Sequence, residues 1–138
     1  MQNKAIRRNV LPQVGATSGQ TKTSQVEQNT WGRGIRFYVT LASITAGGGT
    51  DSLYLCALPP GSATPISLAG FSAVNLLSQT GTFVFDFYPG AWLPPAGIAA
   101  AGNLLGTAGV HLPLSWAVRV VFGVGNAATI AIDAEILP

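Results

Sequence analysis

The stretch GIRFYVTLASITAGGGTDSLYLCALPP, Gly34 to Pro60, decides the fold class. Ile35, Phe37, Val39 and Leu41 alternate with Arg36, Tyr38, Thr40 and Ala42, and a period of two puts each set on its own face of a strand. Gly47, Gly48 and Gly49 with Thr50 and Asp51 then read as a turn. After it Leu53, Leu55 and Ala57 alternate with Ser52, Tyr54 and Cys56, until Pro59, Pro60 and Gly61 end the run. The two runs together predict a hairpin closed by a glycine loop.

The same period returns downstream. Phe83, Phe85 and Phe87 share one face of Thr82 to Tyr88, a core wall opposite Thr82, Val84, Asp86 and Tyr88. Leu114, Trp116, Val118, Val120 and Phe122 alternate with Ser115, Ala117, Arg119 and Val121. Ala128, Ile130, Ile132, Ala134 and Ile136 then alternate with Thr129, Ala131, Asp133 and Glu135, and the turn at Gly123 to Ala127 predicts that these last two strands pair. Ile66 to Leu68 and Phe71 to Leu77 are weaker strand candidates. Trp92 to Val110 is rich in Gly, Ala and Pro and follows neither period, as expected of a functional loop or one that lies on a partner. Short strands at regular spacing without an amphipathic helix predict an all-β fold, an antiparallel β-sandwich or jelly roll.

Charge divides the chain. Residues 1–36 carry Lys4, Arg7, Arg8, Lys22, Arg33 and Arg36 against Glu27 alone. From Phe37 onward there are one cation, Arg119, and four acids, Asp51, Asp86, Asp133 and Glu135. Soluble domains carry roughly 25% charged residues, against 9% here, so this body is expected to live packed against other protein. Gln13 to Asn29 is small, polar and aperiodic, and alone it buries too little apolar surface to offset chain entropy. The reading is an extended, polar, basic N-terminal arm over residues 1–30, ordered on a partner, and a β-sandwich domain over 31–138. On that reading, removing residues 1–30 leaves the sandwich folded.

Chemistry is tested and set aside residue by residue. The mean hydropathy is positive, yet the best apolar run, Ala91 to Leu105, is broken by Pro94, Pro95, Gly97 and Gly102, short of the roughly 20 apolar residues a spanning helix needs. The start, MQNKAIRRNVLPQ, lacks the apolar core of a secretory signal, so neither secretion nor a membrane is expected. Cys56 is the one cysteine, which excludes an intrachain disulfide and a thiolate cluster, and its place in an alternating strand makes it a small buried hydrophobe. Gly123, Gly125 and Ala128 spell G-x-G-x-x-A, but an alternating strand follows where a dinucleotide site needs a helix. Asp133 and Glu135 share a strand face, a spacing that glycosidase carboxylates also use, although two solvated acids with a cross-strand ion pair to Arg119 are the plainer reading. His111 is the one histidine and sits beside no nucleophile motif. No enzyme, cofactor or metal is expected.

Three pieces carry a resemblance: Gly34 to Pro60; GTFVFDFYPGA, Gly81 to Ala91; and LPLSWAVRVVFGVGNAATIAIDAEILP, Leu112 to Pro138. Their order, an aromatic first strand, a glycine turn, a Phe and Tyr strand ended by Pro-Gly, then a Trp and Arg strand before the last, resembles small β-sandwich capsid decoration (cement) proteins of tailed bacteriophages. It departs from that family in the uncharged second strand and the Ala-rich loop at 96–109. The resemblance implies a virion protein on the outer capsid surface, made in the host cytoplasm. It implies the major capsid protein and other copies of itself, as a dimer or trimer, as partners, bridged against internal pressure. The interaction residues expected are Lys4, Arg7, Arg8 and Lys22 of the arm, with Trp31, Arg33 and Trp92. The alternative is a carbohydrate- or receptor-binding module of a tail or fibre that stacks sugars on Trp92, Tyr88 and Trp31. Nucleic-acid binding is disfavoured, because the arm's cations are dispersed and no aromatic interleaves them before Trp31.

Overall fold

The computed structural model describes residues 7–16, 19–28, 32–74, 77, 79–88, 91–96, 103–106 and 113–137. Those residues form eleven strands and no helix. In chain order they are β1 (Arg7–Ala16), β2 (Thr21–Thr23), β3 (Glu27–Gln28), β4 (Gly34–Thr45), β5 (Thr50–Ala57), β6 (Ile66–Val74), β7 (Gly81–Tyr88), β8 (Ala91–Ala96), β9 (Asn103–Gly106), β10 (Ser115–Val121) and β11 (Ala127–Leu137). One sheet runs β1-β11-β4-β7-β8, and the other runs β2-β10-β5-β6-β9 with β3 also on β10. The pairings are antiparallel.

When β2 and β3 are taken as one broken strand and the edge pieces β8 and β9 are set aside, eight strands remain in two sets of four. The chain alternates between the sets as a jelly roll does, so the expected all-β sandwich takes its jelly-roll form. The alternating residues fill the space between the sheets. Ile35, Phe37, Val39 and Leu41 of β4, the three phenylalanines of β7, and Ala128, Ile130, Ile132, Ala134 and Ile136 of β11 face Leu53, Leu55, Phe71, Trp116, Val118 and Val120 of the other sheet, and all are buried. Within the first sheet Phe37 meets Phe87 at 5.5 Å edge to face, and across the layers Phe37 lies 6.0 Å from Trp116 and Phe71 lies 5.9 Å from Phe85 and 5.4 Å from Phe87.

Neither expected hairpin forms. β4 lies between β11 and β7, and β5 lies between β10 and β6 in the opposite sheet. Likewise β10 and β11, adjacent in sequence, belong to different sheets. Alternation tells which face of a strand is apolar but not whether the partner lies beside it or across the core. The glycine turns at 46–49 and 122–126 are therefore corners that carry the chain from one layer to the other.

The two corners stack on each other. A Cβ on Gly47 would come within 2.4 Å of Gly125 O, one on Gly49 within 2.5 Å of Val124 O, and one on Gly123 within 2.4 Å of Thr50 N, so these glycines serve close backbone approach. Buried Asp51 and Asn126 satisfy the groups this contact leaves over. Asp51 Oδ1 accepts from Gly123 N (2.9 Å) and Asn126 Nδ2 (2.8 Å), and its Oδ2 accepts from Leu77 N (3.0 Å). Asn126 also donates to Gly49 O (2.9 Å) and accepts from Gly47 N (2.7 Å).

The arm is corrected over the residues described. β1 pairs with β11 from Arg7↔Glu135 to Ala16↔Ala128, β2 and β3 pair with β10, and Val10 and Leu11 are part of the core. Without β1 the long apolar strand β11 would be a bare sheet edge, and pairing satisfies its backbone. Register shifts between Asn9 and Leu11 and between Leu11 and Val14 break the period that would have betrayed the strand. Pro12 sits exposed on this edge, where a missing N–H costs no ladder bond.

Candidate interaction surface

Topology gives the sandwich two different ends. At the corner end the chain crosses between sheets at 45–50 and 121–127, and Gly19 and Gln20 join there through Gly19 N to Gly123 O (3.4 Å) and Phe122 N to Gln20 O (2.9 Å). At the other, open end lie the start of β4, the end of β11, the start of β1, the β5–β6 connection and the start of β10.

Several residues singled out in the sequence gather at the open end. Arg33 is exposed and is fixed at the mouth of β4 by its N–H, which donates to Leu137 O at 2.9 Å. Arg7 opposes Glu135 at the start of β1, Arg8 follows it opposite Ala134, and Trp92 of β8 opposes Phe87. Lys22 is not with them: it lies half-buried in β2 opposite Val120, toward the corner end. Lys4, Trp31 and His111 lie outside the described residues, as do the side chains of Arg7, Arg8, Tyr88 and Trp92.

Just inside the open end a lateral row of alternating charge crosses the first sheet. Arg7, Glu135, Arg36 and Asp86 occupy successive register positions on β1, β11, β4 and β7. Arg36 grips Asp86 with both arms of its fork, Nε to Oδ1 at 2.7 Å and Nη2 to Oδ2 at 3.0 Å. That hydrogen bond, followed by one to Tyr38, holds the Arg36 guanidinium still further from deprotonation than usual. Tyr38 in turn donates to Glu135 Oε2 at 2.6 Å. The Arg119 ion pair expected across β10 and β11 does not form, because the strands lie in different sheets. Instead Arg119 donates to Pro65 O (2.7 Å) and Ser67 Oγ (3.3 Å) and pins the β5–β6 connection onto its own sheet.

On the second sheet the open end holds an apolar hollow of about 650 Å³, lined chiefly by Leu58, Pro59, Pro60, Ile66, Leu68 and Leu114 and by no charged side chain among the described residues. Leu114 is 73% exposed and Ile66 55%. Sequence reasoning missed both. Leu114 fits the alternation of a core face, but β10 begins one residue later and Leu114 points away from the core; Pro113 immediately before it was the available signal. A second hollow of about 230 Å³, by Gly15, Ile44 and Ala128 on the first sheet, lies toward the corner end. Cys56 is buried, and loss of solvent pushes its thiol pKa up, which keeps the sulfur a neutral packing group.

Among the described residues no three His, Cys, Asp or Glu side chains converge as a metal site, and no helix is long and apolar enough to cross a membrane. The class these features define is a jelly-roll sandwich that carries an exposed arginine and an uncharged apolar hollow at its open end.

No protein-family model matches the chain, and no curated protein does. Among solved structures it is similar to a chain of one described as the structure of infectious bursal disease virus Gx strain, at 12% identity and a TM-score of 0.36, over 98% of this chain and 42% of that one. The chain thus spans less than half the length of that neighbour.

Proposed function

We propose that this chain is a non-catalytic structural protein of a virion, a decoration or cement protein of a tailed-phage head that docks by its open end on the outer surface of the shell and bridges neighbouring capsid subunits. The observation that carries the reading is the contrast between a body with almost no charge and one end that presents Arg33, the starts of the basic strand and an uncharged hollow. A surface so poor in charge is suited to burial against protein, and repeated copies on a lattice turn weak contacts into firm attachment through effective concentration. The major capsid protein is the partner in this reading, with other copies of the chain as neighbours on the shell. The resemblance noted in the sequence points the same way.

The test is cosedimentation of the purified full-length protein with expanded empty heads of its phage, and separately its retention on bacterial surface glycans. Saturable binding to heads that Arg33→Glu weakens is expected. Retention on glycans without binding to heads would move the assignment to a receptor-binding module of a tail or fibre.

A further inference from the structure

The five acids of the chain are all engaged within it. Glu27 is buried and accepts from Gln25 Nε2 at 2.6 Å. Asp51 is fully buried with three donors on its carboxylate. Asp86 is held by the Arg36 fork, Glu135 by Tyr38, and Asp133 also has a partner. The cations are not matched in the same way: Arg33 is exposed, and no acid among the described residues pairs with it. The open end is therefore positive in its available charge and holds an uncharged apolar hollow of about 650 Å³.

Resting on the docking reading above, we infer that the open end receives an extended segment of a different protein in which an acidic residue is flanked by large apolar side chains, the carboxylate on Arg33 and an apolar side chain in the hollow between Leu114 and Ile66. Charge complementarity selects this occupant. A second copy of the chain offers no unengaged Asp or Glu side chain, and an end-to-end pair would set Arg33 against Arg33, a like-charge contact that suppresses association. A nucleic acid would satisfy the cation but brings no aliphatic side chain to a hollow lined by leucine, isoleucine and proline. A planar guanidinium presents its donors in the fork geometry that a carboxylate accepts. An apolar anchor in a desolvated pocket would supply most of the affinity, while the charge would set orientation and rate.

The test is selection of a random dodecapeptide library on the immobilised full-length chain, followed by fluorescence anisotropy of enriched peptides with the wild type, Arg33→Glu and Leu114→Ser. Both side chains are exposed, and unchanged melting curves would show that the variants fold. Enriched peptides are expected to carry Asp or Glu beside Leu, Ile, Val or an aromatic residue. Each variant should weaken them roughly tenfold, the scale of one lost charge-assisted contact or one unfilled apolar pocket. No enrichment, enrichment of peptides without acids, or binding by both variants as tight as by the wild type would overturn the inference. So would tight binding of an oligothymidylate that needs Arg33 but not Leu114, or self-association in sedimentation velocity that Leu114→Ser abolishes. Because no heads enter this experiment, peptides of the expected kind without head binding would leave the inference standing and remove the virion reading. Head binding insensitive to both variants would do the reverse.

Discussion

The two ends of the sandwich use their polar groups in opposite ways. At the corner end Asp51 and Asn126 are buried and turned on the backbone of Gly47, Gly49, Gly123 and Leu77, so that polar chemistry fastens one crossover to the other. At the open end Arg33 is exposed, and the hollow there is lined by Leu114 and Ile66, both more than half exposed. Where buried donors and acceptors satisfy one another, the structure is fixed and little is left for a partner. Where apolar side chains stay in contact with water, burying them against another molecule is still favourable.

The largest effect on stability is expected at the corner end. Asp51→Ala would leave Leu77 N, Gly123 N and Asn126 Nδ2 without their shared acceptor in a buried site, and each such group costs about 1–3 kcal/mol. A loss of roughly 3–5 kcal/mol in urea denaturation is expected, enough to unfold a marginal domain. Loss below about 1 kcal/mol would mean that the network is ornamental.

Removal of residues 1–16 comes next. It deletes β1, uncovers the edge of β11 and strips Val10 and Leu11 from the core, two side chains worth about 1.5–3 kcal/mol each. The truncated chain should melt far lower or aggregate, as followed by circular dichroism and light scattering. Removal of residues 1–6 alone would sharpen the result, since it spares every described strand and should change the melting temperature little.

Arg36→Ala should cost no more than about 1 kcal/mol, because the pair with Asp86 is on the sheet surface and water screens it. Its pH dependence follows from the sign of the shift. A cation whose folded pKa is raised contributes stability that is complete below its unfolded value and is lost only above it, so the Arg36 contribution should stay level from pH 5 to pH 9, roughly three units below arginine's ordinary range. Cys56 adds a check on the core: a buried thiol with a raised pKa should stay unreactive toward a disulfide reagent at neutral pH until the protein unfolds. Smallest in stability, and the counterpart of Asp51→Ala, is Leu114→Ser, expected to move the unfolding free energy by less than about 0.5 kcal/mol.

The inward face of each long strand was legible because burial on one side of a pleat imposes a period of two, and Phe37, Phe85, Trp116, Val118 and Ile130 all lie where that period puts them. Strand partners were not legible. The glycines at 47–49 and 123–125 carry the same composition whether they turn a hairpin or pack two corners together, and only the opposing backbone decides between these. The strand β1 was hidden for a different reason: its register shifts put Val10 and Leu11, adjacent in sequence, both inside, which an alternation test scores as noise. At the candidate site the exposed cation Arg33 could be picked from charge alone. The hollow could not, since Pro59, Ile66 and Leu114 come from two separate stretches that only the pairing of β5 with β6 and β10 brings to one place.

Docking by the open end, and not by the corner end, is the proposal. It is tested most directly by cosedimentation with expanded heads of the wild type, the double variant Arg33→Glu/Leu114→Ser, and the corner-end control Val124→Ser, which alters a residue 79% exposed. The wild type and Val124→Ser are expected to pellet with heads to the same saturation while the folded double variant stays in the supernatant. Retention of the double variant on heads, or loss of binding by Val124→Ser instead, would contradict it.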